Sequence, residues 1–288
     1  MSPYTGLLLL SQSISKGAMH DSGERYPAGK CHPGTREEVL ADILKWINDP
    51  FPQTEVLWLW GSAGAGKSAI MQTIAEILLE LYRERYAASF FFARGVPKRA
   101  QGGLLFSTLA YQIALHVPGM RECIDRAMVI DPTLPSKSMD IQLQSLIVHP
   151  LSQCPHLPVH TPTIIIDGLD ECHDSDVQHT ILSLIAKALT VSRIPVRFLI
   201  ASRPEYWIRE IFDGVPLVDI TQRISLSNSR NVDKDIRKFL EEEFEKIYAK
   251  NASIMSHVLK PWPSSTVMNR LVYNASGQFI YASTVLKF

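Results

Sequence analysis

The segment Gly61-Ser62-Ala63-Gly64-Ala65-Gly66-Lys67-Ser68 follows directly on Val56-Leu57-Trp58-Leu59-Trp60. It constrains the fold more than any other stretch. The pattern G-x-x-x-x-G-K-[ST] works only between a buried strand and a helix. Glycines allow the backbone angles that turn several N–H groups toward an anion. The following helix points its positive end at the same place. Lys67 is placed to reach the β- and γ-phosphates of a nucleotide, and Ser68 to ligate Mg²⁺ through its hydroxyl. The phosphate-binding set is Gly61, Ser62, Ala63, Gly64, Ala65, Gly66, Lys67, Ser68 and Ala69.

A second apolar run, Thr163-Ile164-Ile165-Ile166, ends in Asp167-Gly168-Leu169-Asp170-Glu171. In a phosphate-loop protein this acidic turn is where Mg²⁺ is oriented. Asp167 is the metal-side carboxylate, next to Ser68 or through a water. Asp170 or Glu171 is placed to polarise an attacking water. A third run, Phe198-Leu199-Ile200-Ala201, ends in Ser202-Arg203-Pro204. If this strand lies between the first two, Arg203 emerges beside the γ-phosphate and can report its presence by charge-assisted bonding.

The remaining pattern alternates helices with strands, which implies parallel crossovers and helices on both faces of a sheet. Helices are expected near 5–17, from Thr35 to Ile47, and over 67–83, 104–116, 120–129, 140–148 and 176–190. Thr35 is placed to cap its helix, with Glu37 and Glu38 in the first turn. Further strands are expected at Ala87–Ala93 and, more weakly, at Leu217–Ile220. Pro150, Pro155, Pro158 and Pro162 mark a loop. From about residue 226 only helical patterns remain, with Asp233–Ala249 charged and amphipathic and one or two helices over 266–287.

In that helical part, Lys238, Glu241, Glu242, Glu243, Glu245 and Lys246 read as a solvated face. Phe279, Ile280, Tyr281 and Val285 read as a packed stripe or, less simply, as a partner face.

Composition narrows the function classes. Hydrophobic residues make up 46% of the 288 residues and charged residues 20%, which is a globular composition. Lys+Arg and Asp+Glu both number 29, so no global charge draws the chain to nucleic acid or to an anionic membrane. No segment approaches the ~20 apolar residues of a membrane span. Leu7–Leu10 is too short for a signal-peptide core. Cys31, Cys123, Cys154 and Cys172 form no C-x-x-C pair, so a reducing, cytoplasmic setting is the simpler expectation. Cys154 with His156, and Cys172 with His173 and His179, lack repeated ligand spacing and do not read as a metal site.

Together, the phosphate loop at 61–68, the D-G-L-D-E turn at 167–171 and the A-S-R-P segment at 201–204 resemble the NACHT family. That family belongs to the STAND class of signal-transducing P-loop NTPases. Lys30–Arg36, Asp235–Leu240 and Gly277–Ala282 look like segments of fungal NACHT proteins. The resemblance covers roughly residues 20–288. It implies an α/β core of ASCE type, a parallel five-stranded sheet flanked by helices, with a small helical domain behind it. The expected organisation is a lead-in at 1–33, the NTPase domain at 34–225 and the helical domain at 226–288.

The resemblance further implies Mg²⁺, a bound ATP or GTP, slow hydrolysis, and self-association in the triphosphate state. It places such a switch in NLR-like innate-immunity or self/non-self signalling, with protein effectors or sensors as partners. By the same resemblance Arg203 is a γ-phosphate sensor, Lys67, Asp170 and Glu171 belong to the catalytic set, and Thr35 and Arg36 line the base side. Members usually continue into a winged helix and a repeat array, so the chain is expected to be a fragment, an excised domain or a short form. Two other readings stand beside the switch: a scaffold that holds nucleotide with negligible turnover, and a small-molecule kinase lacking any recognisable acceptor site.

Overall fold

The computed structural model describes residues 4–153, 160–228 and 231–287. Cys154, Pro155, His156 and Pro158 lie outside the described residues. The chain runs α1 (Thr5–Gln12), α2 (Glu37–Asn48), β1 (Val56–Trp60), α3 (Lys67–Leu81), β2 (Tyr86–Phe91), α4 (Leu105–His116) and α5 (Met120–Ile130). It continues through α6 (Met139–Leu143), α7 (His149–Gln153), β3 (Thr163–Asp167), α8 (Ser175–Thr190), β4 (Arg197–Ser202), α9 (Tyr206–Asp213), α10 (Leu217–Ile220) and β5 (Thr221–Ser225). Helices α11 (Val232–Lys250), α12 (Ser265–Ala275) and α13 (Phe279–Val285) close it.

All strand pairings are parallel, in the order β2-β3-β4-β1-β5. The strand that ends in Arg203 therefore lies between the phosphate-loop strand and the acidic strand, as the ASCE reading requires. Continuous apolar runs form the central strands because both faces are covered. Val56 and Trp58 of β1, Ile164 and Ile166 of β3, and Phe198 and Ile200 of β4 enter one core layer. Leu57 and Leu59, Ile165, and Leu199 and Ala201 enter the other, against α2 and α3. A third cluster, centred on Ile236, Leu240, Phe244, Met268 and Val272, belongs to the C-terminal helices.

Four local expectations are corrected. Leu217–Ile220 is the short helix α10, and the fifth strand is Thr221–Ser225. An edge strand with one ladder partner tolerates polar residues such as Gln222 and Arg223, so apolarity was the wrong cue there. The helix expected to stop at 148 instead widens into a π-turn at Gln144–Val148 and continues as α7. Pro150 lacks an N–H, and the widened turn just before it is where the continuous helix accommodates the missing bond. The helix expected over 5–17 ends at Gln12, because Ser15 N–H turns to the Thr108 hydroxyl of α4 (2.9 Å).

Finally, Thr35 does not cap α2. Its hydroxyl donates to the His32 carbonyl (2.7 Å), and Arg36 precedes the helix with left-handed backbone at φ 58°. The Arg36 N–H is satisfied across the fold by Asp235 Oδ2 of α11 (2.9 Å). A tertiary partner replaces the local cap.

The segment before residue 34 is built into the main core. Leu7, Leu10, Ile14 and Ala18 are buried in it. Leu7 N–H donates to Asp125 Oδ1 of α5 (2.8 Å). Among the described residues no helix is long and apolar enough to cross a membrane.

Candidate nucleotide site

Gly61 leaves β1, and Gly64 and Gly66 adopt φ of 73° and 93°, backbone that side chains avoid. Gly66 stands directly before α3, so the loop's N–H groups and the helix start share one hollow. Lys67 Nζ folds back onto its own loop, donating to the carbonyls of Gly61 (2.7 Å) and Ser62 (2.9 Å). Burial pulls its ammonium below the ordinary range, while Asp170 and Asp167 act in the opposite direction.

Asp167 ends β3 and is fully buried. Burial raises its carboxyl to about 6, the Ser68 hydroxyl opposing and Glu171 adding to the rise. Its Oδ1 is buried without a hydrogen-bond partner. A buried, under-satisfied carboxylate oxygen beside a serine hydroxyl is a donor set that suits Mg²⁺, a hard cation that takes oxygen ligands.

The two further acids differ in environment. Asp170 is 3% exposed and turned toward Arg203. Its Oδ1 accepts from the Arg203 N–H (2.8 Å). Its Oδ2 lies 3.2 Å from Arg203 Nε, close enough for an ion pair but without hydrogen-bond alignment. Glu171 is less enclosed, and its Oε2 accepts the Arg94 N–H (3.1 Å). Arg94, in the loop after β2, also donates from Nη2 to the Asp170 carbonyl (3.1 Å). The structure thus brings Lys67, Ser68, Asp167, Asp170, Glu171 and Arg203 to one end of the sheet.

Beside the phosphate loop opens a cavity of about 400 Å³, lined by Thr35, Arg36, Gly64, Lys67, Ser68 and Ala69 together with Cys31, Phe239, Phe279 and Ile280. It falls within the usual size of small-ligand sites. Arg36 is 4% exposed and joins three parts of the chain. Its Nη2 donates to the Ala65 carbonyl of the phosphate loop (2.8 Å). Its N–H reaches Asp235, and its guanidinium stands 5.0 Å from the centre of the Phe279 ring.

Sequence reasoning missed the helical contribution to this cavity. Phe279 packs partly against the C-terminal cluster, but Ile280 is 56% exposed and meets the phosphate loop. The Ile280 N–H donates to the Gly64 carbonyl (3.3 Å), and a Cβ on Gly64 would lie 2.2 Å from Ile280 Cγ2. Nor is α11 solvated all along its charged face, because Glu242 and Glu243 each approach His32 Nε2 to 3.5 Å. Nothing local announces these contacts. The one available signal concerned Gln178, a polar residue on the apolar stripe formed with Ile181, Leu182 and Ile185.

A five-stranded parallel sheet with a phosphate loop after its first strand defines an α/β fold of the P-loop NTPase kind, with a helical C-terminal portion. The chain belongs to the nephrocystin 3, N-terminal family, whose model matches residues 34–203, more than half of its length. The matched region is NACHT-like, so the domain is NACHT-related. No curated protein matches the chain. The family match contains the phosphate loop, the acidic turn and Arg203, whereas Phe239, Phe279 and Ile280 lie outside it.

Proposed function

We propose that this chain binds a nucleoside triphosphate with Mg²⁺, hydrolyses it slowly, and couples the bound state to self-association, in the manner of the fungal NACHT signalling proteins it resembles. One observation carries the reading: the phosphate loop opens directly into a cavity roofed by the C-terminal helices. Phosphates would lie on the loop N–H groups, with the nucleoside toward Thr35, Arg36 and Phe279. Lys67 would leave the Gly61 and Ser62 carbonyls for the β- and γ-phosphates. Ser68 and Asp167 would hold Mg²⁺, which supplies charge neutralisation to the phosphates.

The acids then divide the work. Asp170 has both oxygens turned to Arg203, so it serves as the resting partner of the sensor. Glu171 has one carboxylate oxygen on Arg94 and is the group left to orient water. Lys67 on its own loop and Arg203 on Asp170 form a self-satisfied arrangement. Nucleotide has to displace both, which fits a slow switch. Only a difference in affinity between the two arrangements can drive the change.

The test begins with nucleotide released by denaturing purified protein and identified by anion-exchange chromatography. Titration of the wild type and Lys67→Ala with labelled ADP and GDP follows. Tight binding by the wild type, weakened at least about a hundredfold in the variant, supports the reading. Equal affinity in both proteins sinks it. A single-turnover assay separates the switch from a scaffold with negligible hydrolysis.

A further inference from the structure

The ladder between β3 and β4 ends at the pair Ile166 and Ile200. Asp170, Glu171 and Arg203 all lie past that last rung. Backbone pairing therefore does not set the spacing between the acidic turn and the sensor segment. Side chains set it, through two ties.

The first is Arg203 on Asp170. The second runs from Trp207, in the first turn of α9, to Gln178, in the first turn of α8. Trp207 Nε1 donates to Gln178 Oε1 (2.8 Å). Gln178 Nε2 donates to the Cys172 carbonyl (2.8 Å) and points toward that of Asp170 (3.5 Å). An indole can only donate, so it fixes which end of the amide faces it and commits Nε2 to the acidic turn. Gln178 is 3% exposed, and an unmade bond at such a depth is costly. An amide meets a donor on one side and a carbonyl on the other, which neither a carboxylate nor an aliphatic side chain of the same length does.

The two ties differ in what nucleotide does to them. If Arg203 turns to a γ-phosphate it leaves Asp170, and the first tie is lost. Neither Trp207 nor Gln178 lines the cavity beside the phosphate loop, so nothing in that exchange breaks the second tie. We propose that Gln178 and Trp207 are positioning residues, which hold the acidic turn at a constant distance from the sensor segment after Arg203 is released. This rests on the nucleotide reading above. It assigns the γ-phosphate response to a pair of side chains outside the phosphate-loop motifs.

Trp207→Phe keeps an aromatic ring and removes the N–H. Gln178→Leu keeps the volume and removes the amide. For each variant, affinity for the nucleoside diphosphate, affinity for a non-hydrolysable triphosphate analogue with Mg²⁺, and the single-turnover rate are measured. Diphosphate affinity should stay within about twofold of wild type, because the phosphate loop is untouched. Preference for the triphosphate analogue over the diphosphate should fall about fivefold or more, and the rate about tenfold, as expected for small displacements of reacting groups. The double variant should be no worse than either single one, since both break the same tie.

Wild-type triphosphate preference in Trp207→Phe overturns the inference while leaving nucleotide binding intact. So does a parallel loss of affinity for both ligands, which would mark a merely structural role. A wild type that binds no nucleotide overturns the nucleotide reading, and this inference with it.

Discussion

Asp167→Asn is expected to stabilise the metal-free protein at neutral pH. The Asp167 carboxyl rises from its ordinary 3.8 to about 6 in the fold, chiefly by burial. Between those values the folded protein holds a proton that the unfolded chain has released. Stability is therefore greatest below the lower value and declines as pH rises through about 6. The rise corresponds to about 3 kcal/mol of charge burial that wild type carries above that window. Asparagine never ionises and its oxygen can still accept from Ser68, so the variant escapes the cost.

The assay is urea unfolding with EDTA present, at pH 5 and pH 7.5. The variant should be more stable than wild type by up to about 3 kcal/mol at the higher pH and by about half as much at the lower, where the unfolded carboxyl is already ionised. Excess Mg²⁺ should narrow the gap by stabilising only the wild type, since binding to the native state alone raises its stability. A variant less stable than wild type at pH 7.5, or a difference that does not change with pH, would refute the argument.

Other predictions rest on separate parts of the structure. Glu171→Gln should preserve nucleotide affinity and slow single-turnover hydrolysis about a hundredfold, whereas Asp170→Asn should slow it less and raise triphosphate affinity by freeing Arg203; the reverse ranking would make Asp170 the base. Arg197, 1% exposed, donates to the carbonyls of Trp46, Ile47 and Asp49 at the end of α2. Arg197→Met should cost about 1–3 kcal/mol in denaturant unfolding, since it removes charge-assisted bonds to three carbonyls, of which Trp46 O keeps the Asp49 N–H and Ile47 O keeps Arg85. A Cβ on Gly6 would stand 2.1 Å from the Asp125 carbonyl oxygen. Gly6→Ala should therefore destabilise by about 1–3 kcal/mol, despite alanine's better helix propensity, because α1 must move off α5; a thermal midpoint at or above wild type would show that the close approach is not required.

The loop at 61–68, the acidic turn at 167–171 and the Arg203 segment were each legible as candidate elements because each sits in a few consecutive residues. Local patterning showed the central strands, whose two buried faces demand continuous apolar runs. It failed at β5, where one ladder partner relaxes that demand, and at Pro150, where a π-turn carries the helix past its usual breaker. What tertiary structure alone decided is which groups meet. Asp170 finds Arg203 across 33 positions and Arg36 finds Asp235 across 199. Ile280 reaches Gly64, and Trp207 reaches Gln178. Conformational preference is local and can be read from spacing. Contacts between distant elements depend on how whole layers pack, and that packing set one of two similar acids against Arg203 and the other on the Arg94 N–H.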